Sequence, residues 1–357
     1  MSGDLAHAEW NRMGPTRVLP LPLALPSWHQ HGVSCFRKAF GVIFRFRGIA
    51  VAMVASLLAG CVTPVAAPPV APPPVVAPPP ITLPATIAAS PASEAARVYF
   101  AAVQARLLSQ GLLRSDGGIT DAPFTDRMLA ANFTRVALYD EYTDGPTGPV
   151  QRETASRLRR WAMPVRVGLR FGASVAPDRR ATDTARVASY LSRLQMLTGH
   201  PIRLDDANPN FIIEVVNEDE RRALGPAVAA ALPGLSAADV RGITDLPRST
   251  YCLVYAFAEG GSSTYSRAYA VIRAEHPDLL RLSCFHEEIA QGLGLANDSP
   301  TARPSIFNDD EEFALLTPQD EMMLHMLYTP ALRPGMTESE AQPIINSLAA
   351  RLLNGDS

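Results

Sequence analysis

Lysine is almost absent from this sequence of 357 residues. Lys38 is the only one, so every permanently cationic side chain after residue 61 is an arginine. A Walker-type phosphate loop, a Schiff-base mechanism and a serine–lysine dyad each need an ammonium group that approaches phosphate or loses its proton. These three chemistries are therefore excluded for the region downstream of residue 61.

An excess of positive charge and a serine-hydrolase motif are also lacking. The chain has 32 Lys and Arg against 35 Asp and Glu, a net charge of -3, so nothing in the balance indicates nucleic acid as a partner. No G-x-S-x-G pattern occurs, and a Ser-His-Asp triad is not predicted. The arginine-rich segment 157–170 is interpreted as a solvated face, with anionic cell-wall polymers or lipid headgroups as the alternative contacts.

Cysteine is rare, and the second of the four cysteines ends a secretory signal. A basic stretch, residues 36–47, precedes an apolar run, residues 48–61, which is shorter than the about 20 residues of a membrane span. The residues before Cys61 resemble a bacterial lipobox, in which the signal is cut before the cysteine and the cysteine is lipidated. The alternative is an ordinary signal anchor. Residues 1–60 are thus assigned to an upstream extension and a cleaved signal.

A proline-rich segment follows the lipobox. Residues 64–84 contain ten prolines in 21 positions, which predicts a polyproline II stalk of roughly 65 Å, at about 3.1 Å per residue. Residues 61–90 then form an anchor and stalk, and residues 91–357 form one globular domain. The partner implied for Cys61 is a membrane, and Val62, where an aspartate is associated with inner-membrane retention, favours the outer membrane.

Two cysteines remain for the globular domain once Cys61 is modified and Cys35 is removed with the signal. An exported protein meets an oxidising compartment, so Cys252 and Cys284 are predicted to pair. Such a bridge contributes about 3 to 4 kcal/mol through the unfolded state. The alternative is two separate buried thiols.

Hydrophobic periodicity predicts an α/β (α+β) domain with a mixed sheet. Segment 124–142 begins helical and ends as a strand, and the last two of the predicted strands form an antiparallel edge pair. The strands are expected over 165–171, 211–217, 251–258 and 265–274, and the helices over 93–114, 183–198 and 278–295.

Two helix starts near the C-terminus carry capping signals. Thr317 followed by Pro318 and first-turn carboxylates predicts a helix that runs to Tyr328. Thr337 and Glu340 are spaced as a capping box for a last helix to about residue 353.

The segment "EEIAQGLGLAND", residues 287–298, has the spacing of a metal-binding helix. His286 and Glu287 look like the start of H-E-x-x-H, but Ala290 stands where the second histidine belongs. A metzincin site instead needs ligands at i, i+4 and i+10, a base at i+1 and a glycine at i+7. With i at the first glutamate, the ligand positions are Glu287, Gln291 and Asn297, the base position is Glu288, and the glycine is Gly294.

The block from Cys284 to Met336 resembles the proteobacterial lipoprotein family known as domain of unknown function 2927. The resemblance rests on "EEIAQGLGLANDS", "SIFNDD" and "LRPGMT" and extends from about residue 160 onward. It implies a lipoprotein with a zincin-like fold, although Phe307 stands where the turn methionine of matrixins would be. The family has no established activity.

Four interpretations of this helix remain open. The first is a zinc site formed by Glu287, Gln291 and Asn297. Zinc prefers imidazole and thiolate ligands, so these oxygen donors indicate instead that no metal or other cofactor is bound. A relocated zinc site would use His286 with His276 or His325. The helix is otherwise structural, with its glutamates solvated or paired with arginine, or it carries a metal-free acid/base pair of Glu288 and Glu287.

The function expected from the sequence is binding rather than catalysis. We expect a lipid-anchored envelope protein with a degenerate peptidase-like domain that binds or scaffolds peptide, protein or cell-wall components. The alternative is an envelope hydrolase that uses Glu288 as its general base.

Overall fold

A computed structural model describes residues 17–20, 89–145, 148–308 and 310–355. The predicted signal, the lipidation site at Cys61 and the proline-rich segment 64–84 lie outside the described residues. None of the helices in the described part of the chain is long and apolar enough to cross a membrane.

One mixed sheet forms the centre of the domain. Its strand order is β1-β8-β9-β7-β5-β6, with β4 pairing alongside the start of β9, and β2 and β3 form a separate antiparallel hairpin. Within the mixed sheet only β8 and β9 run antiparallel to each other. The strands are β1 (Arg17–Pro20), β2 (Tyr139–Gly145), β3 (Gly148–Ala155), β4 (Arg160–Trp161), β5 (Val165–Phe171), β6 (Ile202–Leu204), β7 (Phe211–Val216), β8 (Cys252–Ala258) and β9 (Thr264–Arg273).

Nine helices are present in the described residues, besides a short 3-10 turn between β8 and β9. They are α1 (Pro91–Ser109), α2 (Asp126–Leu138), α3 (Pro177–Thr198), α4 (Glu218–Arg222), α5 (Gly225–Ala231), α6 (Ala237–Thr244), α7 (Asp278–Leu293), α8 (Pro318–Tyr328) and α9 (Glu338–Asn354). The α/β class, the mixed sheet and the antiparallel pair are therefore confirmed.

Helices pack on both faces of the sheet, and this explains the apolar composition of its strand β7. All six residues of β7 are buried, because its alternate side chains enter two different cores. Phe211, Ile213 and Val215 face the larger core, while Ile212 and Val216 face a smaller one that includes Val228 and Ile243 of α5 and α6. A strand covered on both faces reads as a continuous apolar run rather than as an alternation.

The capping signals are confirmed. Thr317 accepts a hydrogen bond from the Asp320 amide, and the Asp320 side chain accepts one from the Thr317 amide. Thr337 and Glu340 make the same reciprocal pair at the start of α9. Helix α3 begins at Pro177, six residues before the predicted start, because proline at the first helical position has its φ preset for the helix.

Candidate functional site: a buried acidic cluster and a polar cavity

Helix α7 lies against β8 and β9 and carries the residues that the sequence singled out. Every residue from Ser283 to Leu293 is buried. The helix ends at Gly294, whose φ of 128° favours glycine. A Cβ on Gly294 would also lie 2.4 Å from the Arg159 carbonyl oxygen. The glycine of the motif is therefore needed both for the turn and for the close approach of the chain near β4.

A disulfide joins the first residue of β8 to the middle of α7. Cys252 and Cys284 are bonded, with their Cα atoms 5.9 Å apart, so the predicted pairing is confirmed. Because residues four apart on a helix share a face, the bridge lies one turn before Glu288.

Glu287 and Glu288 are both buried, with exposed fractions of 6% and 3%. Of the two alternatives for these carboxylates in a structural helix, solvation or pairing with arginine, burial excludes solvation. One carboxyl oxygen of each and the Cys252 sulfur all lie within 4.8 Å of one another. Among the described residues, no group donates a hydrogen bond to Glu288 Oε2. Burial, and then the nearby carboxylate of Asp298, raise the pKa of Glu288 well above its usual value.

Gln291 and Asn297, at the other two ligand positions, are held by the protein itself. The Gln291 side-chain amide donates to Asp298 Oδ1 at 2.9 Å. The Asn297 side-chain amide donates to the Arg135 carbonyl at 3.0 Å, and the Asn297 backbone N–H donates to the Val136 carbonyl at 3.0 Å. Asn297 thus satisfies two carbonyl groups in the last turn of α2, which the helix leaves without intrahelical partners.

The residues at the metzincin ligand positions do not fit a zinc ion. They offer one carboxylate oxygen and two neutral amide oxygens, and the amide nitrogens of Gln291 and Asn297 donate to other protein groups. Zinc sites in proteins are built from imidazole, thiolate and carboxylate. The helix has the metzincin spacing, but its residues are not the donor set of a zinc peptidase.

His286 serves the packing of α7. Its ring stacks on Tyr190 of α3 with centroids 4.0 Å apart, and its Nδ1 accepts a hydrogen bond from the Leu316 amide at 3.2 Å. Burial, and then the charge of Arg193, lower the pKa of His286 to about 3. The imidazole is therefore neutral across the physiological range.

The other two candidate histidines lie in different surroundings. His276 is buried with its ring 4.4 Å from that of Phe100, and its Nδ1 lies 3.7 Å from Cys284 Sγ. His325 is exposed on α8, where its Nδ1 lies 3.0 Å from the Leu197 carbonyl oxygen. The cluster with metal-ligand spacing in the described part of the chain contains no histidine, so the relocated histidine site is not supported.

A polar cavity of about 770 Å³ opens elsewhere on the domain. Three separate stretches of sequence line it: the segment after β3, the turn between β8 and β9, and the first turn of α9. Most of the lining residues carry a hydroxyl, amide or charged group, while carbon atoms make up much of the lining surface. The residues are Ala155, Ser156, Arg157, Arg159, Gly261, Ser262, Ser263, Thr337, Glu338, Ser339 and Gln342. Sequence analysis missed this site, since only the folded chain brings stretches nearly 200 residues apart together.

Comparison with known proteins identifies one family. The model of the family described as Protein of unknown function (DUF2927) matches residues 126–347, more than half of the chain. No curated protein and no solved structure gives a significant match.

Proposed function

The chain belongs to the DUF2927 family, and on this premise we propose that it is a lipid-anchored cell-envelope protein whose globular domain binds a polar cell-wall component. The polar cavity is the binding site in this proposal. Helix α7 acts as its scaffold, and Cys61 anchors the domain to a membrane, with the outer membrane favoured.

The lining of the cavity is the observation that carries the proposal. Its volume lies in the range of about 300 to 1,000 Å³ that is typical of ligand sites. Ala155 and Gly261 are the only apolar residues among those that line it, and no aromatic side chain takes part. The lining offers hydroxyl groups, an amide, one glutamate and two arginines, of which Arg159 is already paired with Asp140. This set suits a ligand that carries many hydroxyls and amides, with Arg157 available for a carboxylate. Peptidoglycan, a polymer of sugars and short acidic peptides, has this chemistry.

The zincin-like character of the domain is the second part of the proposal. An antiparallel strand pair, β8 and β9, directly precedes α7, as the resemblance of the sequence implies. The helix keeps the spacing of a metal-binding helix and its terminal glycine, while Gln291 and Asn297 bind protein groups. These features support a degenerate peptidase-like scaffold that has lost its metal.

Co-sedimentation with purified peptidoglycan sacculi tests the binding proposal. Ser339 is an exposed residue of α9 that lines the cavity, so Ser339→Trp places a bulky indole ring in the cavity without disturbing the core. Ser347, exposed two turns later on the same helix, is not among the lining residues and provides the matched control. We expect Ser339→Trp to reduce the bound fraction at least about tenfold, as when a ligand loses its central contacts. Wild-type protein that stays in the supernatant, or equal binding by both variants, would contradict the proposal.

The alternative function is an envelope hydrolase that uses Glu288 as an acid/base group. The raised pKa of Glu288 favours it, because general acid catalysis needs a carboxyl group that keeps its proton near neutral pH. Against it stands the 3% exposure of this residue, which prevents substrate contact with the carboxyl group in this conformation. A peptidase screen of wild type and Glu288→Gln distinguishes the two functions, because only the hydrolase predicts cleavage that the variant loses.

A further inference from the structure

The disulfide and the two buried glutamates of α7 form a cluster that the proposed binding function does not use. Cys252 Sγ lies within 4.8 Å of carboxyl oxygens of both Glu287 and Glu288. The three residues are at least nine-tenths buried, and Glu288 Oε2 has no hydrogen-bond partner among the described residues. A buried carboxyl oxygen without a partner is costly, and a nearby positive charge would offset that cost.

We propose that reduction of the Cys252–Cys284 bond turns this cluster into a binding site for a thiophilic divalent cation such as zinc. A thiol or phosphine reductant supplies two electrons, the S–S bond breaks, and two protons are taken up to give two thiols. Zinc then displaces the proton of the Cys252 thiol and the proton carried by the buried Glu288 carboxyl group, and both protons pass to solvent. The ion is held by one thiolate and two carboxylates, and water takes the fourth position. In the disulfide form the sulfur is not a thiolate, and the site does not exist.

The distances are compatible with such a site. With a Zn–S distance of about 2.3 Å and Zn–O distances of about 2.0 Å, tetrahedral geometry places sulfur and oxygen roughly 3.5 Å apart. Since the donors lie within 4.8 Å of one another, sulfur and oxygen need to approach by at most about 1.3 Å. Breaking the S–S bond frees the Cys252 side chain to move. One thiolate and two carboxylates also supply more negative charge than a divalent cation needs.

The two cysteines are not equivalent in this proposal. Cys284 Sγ has His276 Nδ1 as a neighbour at 3.7 Å, and it does not belong to the cluster formed by Cys252 and the glutamates. Replacing either cysteine abolishes the same disulfide. Only the Cys284→Ser variant, however, leaves a free thiol beside both carboxylates.

Cadmium titration of the full chain tests the proposal, with the ultraviolet absorption of cadmium–thiolate bonds as the readout and zinc as the competitor. Every protein in the series carries Cys35→Ser and Cys61→Ser, so that no thiol outside the Cys252–Cys284 pair binds cadmium, and the chain that keeps both Cys252 and Cys284 serves as the wild type. We expect one cadmium per chain in Cys284→Ser, and none in Cys252→Ser or in the oxidised wild type. In the Cys284→Ser background, Glu288→Gln should weaken binding by about tenfold or more. Equal binding by the two cysteine variants would overturn the proposal, as would no binding by a folded Cys284→Ser protein.

Circular dichroism shows whether the variants are folded. If neither is folded, the same titration is made on wild type reduced by a phosphine without denaturant, where absence of the cadmium–thiolate band overturns the proposal. The result is independent of the binding function, which concerns the polar cavity and the disulfide form of the protein.

Discussion

His286 should make the domain sensitive to acid. Its pKa is about 3 in the folded protein, because the ring is buried between α7 and α3 near the positive charge of Arg193, and about 6.5 in the unfolded chain. Between these two pKa values the unfolded state binds a proton that the folded state does not bind. Stability is fully present above about pH 6.5 and is lost as the pH falls towards 3.

The size of this effect follows from the two pKa values. A pH of about 4.5 lies two units below the pKa of about 6.5 in the unfolded chain, so His286 is protonated there. In the folded protein, where its pKa is about 3, His286 is still almost entirely neutral at this pH. At 1.36 kcal/mol per unit, the free energy of unfolding falls by about 2.7 kcal/mol between neutral pH and pH 4.5 through this one side chain.

A comparison of wild type with His286→Asn isolates the contribution of His286 to the pH dependence of stability. Asparagine places an acceptor oxygen near the position of Nδ1, so the hydrogen bond from the Leu316 amide is kept, while the titrating group is removed. The lost stacking on Tyr190 costs about 1 kcal/mol at every pH. Urea unfolding of both disulfide-intact proteins from about pH 7.5 to about pH 4.5 should show wild type losing about 2.7 kcal/mol relative to the variant. Parallel stability curves would refute the reasoning, because they would mean that His286 accepts a proton equally well in both states.

Three further outcomes are expected. Asp183→Asn removes the buried carboxylate that lies 3.0 Å from the buried Arg281 guanidinium and should lower the free energy of unfolding by about 3 to 5 kcal/mol. Asp278→Asn, whose exposed carboxylate lies 3.6 Å from the same guanidinium and pairs with Arg186, should cost less than about 1 kcal/mol. In Gly294→Ala the new Cβ collides with the Arg159 carbonyl, which should lower the free energy of unfolding by about 2 kcal/mol or more. In Gly199→Ala the new Cβ has open space around it, and the loss should be about 1 kcal/mol; urea unfolding measures both. When cells are grown with radioactive palmitate, the wild-type protein should be labelled and Cys61→Ser should not. An unlabelled wild-type protein would contradict the lipoprotein proposal.

The elements predicted correctly are those whose signals are local. The caps at Thr317 and Thr337 are decided within four residues of sequence, and the strands over 165–171 and 211–216 by periodicity or β-branched composition. The three-residue strand β6 was not predicted, because so short a strand is defined by its pairing with β5 rather than by its own sequence. The sequence of residues 218–234 predicts a helix or broken helix, and the structure has the two short helices α4 and α5 there, followed by α6 before β8.

The residues of the α7 cluster were predictable, but their environment was not, and the lining of the polar cavity was not predictable at all because three distant stretches of the chain form it. Spacing alone selected Glu287, Glu288, Gln291 and Asn297, and Cys252 and Cys284 were paired by elimination. That Asn297 closes the end of α2 depends on the packing of a segment about 160 residues earlier, which no local pattern encodes. The burial of the glutamates depends in the same way on the tertiary contacts of α7.

The most direct test of the account is what the disulfide-intact protein does to peptidoglycan sacculi. The measurement is the amount of soluble sugar and peptide released over time by wild type and by Glu288→Gln, with bound protein determined in the same samples. The account predicts that both proteins bind the sacculi and that neither releases fragments. Release by wild type that Glu288→Gln abolishes would contradict it and establish the hydrolase instead.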